Sequence, residues 1–126
     1  MKIPENLFYT LEHEWADYKN DEVIIGITDY AQSQLGDIIF VELPEVGSIY
    51  KLGDIFGEIE AVKTVSDLFM PISGTVSEKN NKLEDNPQLI NESPYEEGWI
   101  IKIQDANLDQ LNDLLSAEEY KKEIGI

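Results

Sequence analysis

The sequence predicts a mainly β protein, two antiparallel sheets packed as a sandwich or flattened barrel, with a few short helices attached. Three observations carry this reading. Between Glu22 and Ile103 the chain is mostly short runs rich in Ile, Val and Phe, each bounded by Gly, Pro, Asn or Asp. Most of these runs follow one another with no helical pattern between them, which argues for antiparallel pairing. The length of 126 residues, 42% hydrophobic and 10% aromatic, suits one domain with a real core rather than a disordered acidic chain.

Taken in order, the strand candidates are Glu22–Ile27, Asp37–Leu43, Asp54–Val62, Thr64–Met70, Gly74–Glu78 and Trp99–Gln104. Alternation is clearest in the last, where Trp99, Ile101 and Ile103 share one face, which reads Trp99 as a core residue. After the first run, Thr28 is placed to N-cap a short helix through Ala31 and Leu35, stopped by Gly36. The stretch from Asn80 to Gly98, with Pro87 and Pro94, reads as a long irregular loop that Asn91, Pro94 and Tyr95 hold in place. Asn107 and Gln110 resemble a capping box opening a helix over Leu108–Leu115, and Ser116 with Glu119 forms a second, ended by Gly125. The organisation is a single domain, residues 1–126, with a core over about 9–104 and C-terminal helices over about 107–124. No long linker or low-complexity tract divides it.

Charge and the missing residue types exclude whole classes of function. Lysine supplies all nine basic residues, there are 26 acids and one histidine, and cysteine is absent, giving a formal charge of −17. Such a surface repels phosphate backbones, so no nucleic-acid partner is expected. Without cysteine there is no disulfide framework, thiolate nucleophile or cysteine zinc site, and one histidine cannot build a multi-histidine metal centre. No apolar run approaches the ~20 residues that span a bilayer, and residues 1–6 contain no signal-like apolar core, so the expectation is a cytoplasmic protein with no membrane contact. The sequon at Asn91 carries no weight in that setting. Lysine in place of arginine, with abundant Ile and Asn, hints at an AT-rich genome and fits a bacterial source.

No phosphate-binding glycine loop, nucleophile elbow, metalloprotease motif or calcium loop occurs, and so many carboxylates produce chance pairs anywhere. The inventory argues against an independent catalyst. The informative segment is Glu60-Ala61-Val62-Lys63-Thr64-Val65-Ser66-Asp67. Two strand-like runs meet at Val62-Lys63 without the Gly, Asn or Pro of an ordinary turn. A lysine there is either a solubilising side chain or an attachment point, its amine clear of the sheet and its base rigid enough to raise a tethered group's effective concentration at partner sites.

That octapeptide resembles the lipoyl-attachment motif of the glycine cleavage system H proteins. Further blocks resemble the family in order: Glu12-His13-Glu14-Trp15, Ile27 to Gln32, Leu35-Gly36-Asp37, Phe40 to Pro44 with Gly47, Pro71 to Gly74, Asn91 to Tyr95 and Gly98-Trp99-Ile100. Together they run from about residue 9 to residue 120. Ala61 stands where Ser is common and Thr64 where Ala is common, both small residues beside the tip. Biotin carriers flank their lysine with methionine, and 2-oxoacid dehydrogenase lipoyl domains show Asp-Lys-Ala; neither pattern is present.

The resemblance implies a lipoyl-type fold with its lysine at a hairpin tip, and a non-catalytic carrier with lipoic acid amide-linked to Lys63. Its implied partners are the glycine-decarboxylating P protein, the tetrahydrofolate-dependent aminomethyltransferase (T protein), the dihydrolipoyl dehydrogenase (L protein) and a lipoate-attaching enzyme. Glu60 and Gly74, three before and eleven after the lysine, match the spacing that attaching enzymes read in the family. Glu14 and Asp67, with Glu12 where Ser is frequent, correspond to acids lining the cleft that shelters the aminomethyl cargo. Strand alternation would point Glu12 and Glu14 the same way, set His13 on the Trp15 face as a structural residue, and give Lys63 and Asp67 a common face. The alternatives are an H-like relay donating its lipoyl or octanoyl group to other lipoyl domains, and an unmodified H-like binding module.

Overall fold

The computed structural model describes residues 1–126. Nine strands form two sheets: β1 (Phe8–Tyr9), β2 (Glu14–Lys19), β3 (Glu22–Ile27), β4 (Ile38–Glu42), β5 (Ile49–Tyr50), β6 (Ile55–Ala61), β7 (Val65–Phe69), β8 (Gly74–Lys79) and β9 (Ile101–Gln104). Six strands in the order β1-β2-β3-β9-β8-β5 make one sheet, and β4-β6-β7 the other. Every pairing is antiparallel. The main core lies between the sheets, where Ile25, Ile59, Ile72, Val76, Ile101 and Ile103 are fully buried. This is the mainly β, two-sheet architecture expected.

Six anticipated strands are present, shortened by a residue or two at most ends. Three were not anticipated. Two of them, β1 and β5, have two residues each, too few to show alternation. The third, β2, is joined to β3 by Asn20-Asp21, both in left-handed backbone (φ 54° and 63°), a two-residue hairpin suited to these residue types.

The helix α1 (Asp29–Leu35) matches expectation: the Thr28 hydroxyl accepts from the Ala31 N–H, and the Gly36 N–H returns to the Gln32 carbonyl with φ 81°. The capping box at Ser116 and Glu119 opens α4 (Ala117–Ile124), and Gly125 ends it in left-handed backbone. Over Leu108–Leu115, by contrast, the chain forms only a 3-10 helix, Leu108–Asp113, with no side-chain cap from Asn107. Gln110 is engaged elsewhere, its Oε1 accepting from the Ser73 N–H at 2.7 Å. Leu115 instead pairs with Tyr9 as a β-bridge.

The loop over 80–98 contains α2 (Lys82–Asp85) and α3 (Leu89–Glu92). Its anchors act as anticipated. Asn91 accepts from the Ile38 N–H and donates to Gln32 and the Gly36 carbonyl; the Tyr95 hydroxyl accepts from Asp29 N–H and donates to the Lys2 carbonyl; the Pro94 carbonyl takes the Trp15 indole N–H. Trp99 precedes its strand and is half-buried, with the Lys102 ammonium 4.9 Å from its ring centroid; Ile100 is the fully buried residue there, its N–H bonded to the Ile25 carbonyl.

Gly74 opens β8 and is required by close approach. A Cβ there would stand 2.2 Å from Ile103 Cγ2 and 3.0 Å from the Gln104 carbonyl oxygen. Gly74→Ala should therefore destabilise the fold by about 1–3 kcal/mol, as overpacking does. Denaturant unfolding with an unchanged midpoint would contradict this.

Candidate functional site

The hairpin β6–β7 closes at Val62-Lys63, where the Ala61 N–H donates to the Thr64 carbonyl at 2.8 Å. Neither tip residue adopts positive φ, so no Gly or Asn is needed there. The Val62 N–H reaches across to the Asp37 carbonyl at 3.0 Å, pinning the tip to the chain leaving α1. Lys63 is exposed, and its stem passes over Gly36, where an added Cβ would lie 3.5 Å from Lys63 Cε. Glu60 is half-buried on β6, paired across to Phe40 and Val65.

Beside this hairpin lies a cleft of about 300 Å³ between the turn before β2, helix α1 and β7. Ile27, Ala31, Leu35, Ile59 and Leu68 give it an apolar wall; Glu12, His13, Glu14 and Asp67 give it polar ones. The structure thus brings together the three acids singled out by sequence, though not by strand alternation. Thr10–His13 is a turn, closed by the His13 N–H on the Thr10 carbonyl, with His13 at φ 70°. Glu12 is consequently exposed while Glu14 is buried, and His13 lines the cleft beside both carboxylates rather than sitting apart with Trp15. Asp67 is exposed, level with Glu58 across the hairpin, and lines both this cleft and a second depression that it shares with Glu42, Tyr50 and Glu58. Lys63 lies in the turn, outside either strand, so strand parity relates it to nothing.

Glu14 is the unusual group. It is 2% exposed and has no cationic partner; its Oε1 accepts from the Thr10 hydroxyl at 2.8 Å and Oε2 from the Phe69 N–H at 3.4 Å. Burial pushes its carboxyl up to about 8, the Glu12 charge adds to the rise, and the two hydrogen bonds oppose it. His13 is shifted down by burial, with Glu12 opposing.

An exposed lysine on a pinned tip, next to a half-apolar cleft floored by a buried acid, suits a tethered amphipathic arm with a cationic end. The Glycine cleavage H-protein family model matches residues 7–125. This chain belongs to that family.

The H protein from Staphylococcus haemolyticus is 54% identical over 125 residues, 99% of each chain, and that from Bacteroides fragilis is 54% identical over 96% of each. The crystal structure of a glycine cleavage system H protein from Mycobacterium marinum superposes with a TM-score of 0.89 at 40% identity, over 98% of this chain and all of that one. The function of H proteins is that of lipoyl shuttle in glycine cleavage, and these relatives do not favour the relay alternative. No helix is long and apolar enough to cross a membrane.

The elevated Glu14 carboxyl has a consequence for stability. Near pH 4 and below, it is protonated both folded and unfolded. As pH rises the unfolded chain loses this proton first, while the folded state keeps it to about 8, so stability falls across that window. At about 1.4 kcal/mol per unit the loss is on the order of several kcal/mol. Glu14→Gln should therefore gain melting temperature relative to the parent between pH 5 and pH 9. Parallel profiles would show that the carboxyl titrates normally.

Proposed function

We propose that Lys63 is the lipoyl-attachment residue, and that the chain is a non-catalytic carrier moving an aminomethyl cargo between enzymes of glycine cleavage. The supporting observation is the pinned hairpin tip that projects Lys63 beside the acid-floored cleft, in a chain of the H-protein family. The partners in this reading are the P protein, which decarboxylates glycine and loads the cargo, the T protein, which transfers the one-carbon unit to tetrahydrofolate, and the L protein, which reoxidises the dithiol. We further infer a single working domain over residues 1–126 and a bacterial cytosolic setting, in keeping with the bacterial relatives.

When bound, lipoic acid supplies the redox sulfurs that the cysteine-free chain lacks. The residues of the chain hold and shelter. Ala61, Val62 and Thr64 fix the base of the arm through backbone hydrogen bonds. Ile27, Leu35, Ile59 and Leu68 offer the alkyl stem an apolar wall and exclude water. Glu14, Glu12 and Asp67 meet the cargo's ammonium, with Glu14 releasing its proton to solvent as the ammonium becomes its counterion in a sheltered site. Glu60, exposed in part beside the tip, is the element a lipoate-attaching enzyme reads directly. Gly74, buried against Ile103, contributes to that recognition by holding the fold.

Co-expression with a lipoate-attaching enzyme should add one lipoyl group at Lys63, moving the formal charge from −17 to −18, and Lys63→Arg should gain none. Peptide mapping to another lysine would overturn the assignment. The lipoylated protein should then support glycine–bicarbonate exchange with a P protein. For the sheltering role, Glu14→Ala should speed ammonia release from the loaded form several-fold to about a hundred-fold, and Asp67→Ala, which removes an exposed carboxylate, by no more than about five-fold, at ~1.4 kcal/mol per decade; both should leave lipoylation intact. The double change at Glu12 and Glu14 should be worse than either alone. Loaded variants as long-lived as the parent would remove the carboxylates from this role.

A further inference from the structure

His13 is the only histidine, and it lines the cleft between Glu12 and Glu14. Its ring packs at 5.0 Å from that of Tyr30 and edge-on to Tyr120 at 5.8 Å between centroids. Its Nδ1 is 2.8 Å from the Tyr120 hydroxyl, which is 2.8 Å from the Thr28 hydroxyl. Thr28 and Tyr120 are both fully buried.

The proton positions in this chain follow from counting donors. The Thr28 oxygen already accepts the Ala31 N–H that caps α1, and the only acceptor within reach of its own proton is the Tyr120 oxygen. Thr28 therefore donates to Tyr120. Tyr120 then has its proton free for one remaining partner, His13 Nδ1, which must be an unprotonated acceptor. Reversing the chain would strand the Thr28 hydroxyl proton at a fully buried position, which favours the first arrangement by about ten- to a hundred-fold. The imidazole is thus neutral with its proton on Nε2, the nitrogen directed away from Tyr120 and engaged by no protein group. Its lowered affinity for a second proton agrees with this state.

We propose that His13 is a positioning residue of the cleft, held by Thr28 and Tyr120 as the Nε2–H tautomer, and that it donates this proton to the free sulfur of the opened lipoyl arm. The proposal rests on the carrier reading for the identity of the arm. Chemistry selects the sulfur. The cargo's ammonium has only N–H bonds to offer and is matched by the carboxylates of Glu12, Glu14 and Asp67, not by another donor. The amide carbonyl of the arm stays with Lys63 at the tip. The neighbouring sulfur, a lone-pair or thiolate acceptor, is what lies beside the acid group once the ammonium is seated there. In this arrangement α4 contributes to the cleft through Tyr120 alone.

One histidine makes the test unambiguous, since every imidazole signal belongs to His13. In the unmodified protein, 15N NMR should show Nδ1 as an acceptor and Nε2 protonated at neutral pH, and Tyr120→Phe should collapse this to a tautomer mixture. A Nδ1–H tautomer or a mixture in the parent overturns the hydrogen-bond chain. In the lipoylated protein, loading the arm with the aminomethyl group should shift the Nε2–H resonance and raise the ionisation constant of the remaining free thiol roughly three- to ten-fold relative to His13→Asn. Asn tolerates the left-handed backbone at this position but cannot reach where Nε2 stood. His13→Gln, which places an amide donor near the Nε2 position, should restore the thiol shift. An Nε2 signal indifferent to loading, with equal thiol ionisation in the loaded parent, Asn and Gln forms, overturns the sulfur contact. Failure of Lys63 to accept lipoate overturns the carrier reading and the sulfur contact with it. The tautomer measurement on the unmodified chain stands or falls independently.

Discussion

An amine used as an anchor has to be presented by backbone that stays put while the side chain moves. Here that constraint is met by two hydrogen bonds, Ala61 N–H to the Thr64 carbonyl within the hairpin and Val62 N–H to the Asp37 carbonyl across to the neighbouring segment. Much of the smaller sheet serves the same end. At Gly57 an added Cβ would stand 2.3 Å from the Glu42 carbonyl oxygen, so β6 can lie against β4 only because that position is bare. Because the second bond comes from the residue after Gly36, the tip and α1 are held in fixed relation. The cleft walled by α1 therefore has a fixed position relative to the lysine that feeds it.

The electrostatics of that cleft run against the rest of the molecule. On a chain of charge −17 most carboxylates face water and are ionised at little cost. Glu14 is withdrawn from water with only neutral donors beside it, so the empty cleft holds it largely as the acid. A buried carboxylate without a cation is costly, and one with a cation in contact is not. Glu14 is thereby tuned to a positively charged guest: it is largely neutral in the empty cleft and gains its charge when the guest supplies the counterion. Asp67 and Glu12, being exposed, shape the approach more than the binding, since exposed pairs are worth little.

The β architecture was legible because Ile- and Val-rich runs ended at turn residues, and the tip was legible because two such runs met without one. The helix starts at Thr28 and Ser116 were legible through their capping chemistry. Asn107 and Gln110 misled, because a capping pattern says nothing about a competing donor, and the Ser73 N–H had already claimed the Gln110 side-chain oxygen. The cleft was readable only by resemblance, since its residues come from around 12–14, 27–35, 59 and 66–68 and nothing local joins them. Alternation failed across Thr10–His13, where the chain turns without Gly, Pro or Asn and a histidine takes the left-handed position. Among 26 acids nothing in the sequence marks Glu14 as the buried one. The part played by Tyr120 was equally hidden, over a hundred residues from the ring it holds.

The claim on which the account rests most directly is that Glu14 is an acid in the empty cleft and a carboxylate beside the loaded cargo. A 13C-detected titration of the Glu14 side chain, in unmodified protein and in protein carrying the aminomethyl-loaded arm, reads both states. The account predicts a midpoint near 8 without the cargo and a fall to well below neutrality with it. A Glu14 carboxyl that titrates in the ordinary glutamate range when the cleft is empty, or one whose midpoint does not move on loading, would contradict it.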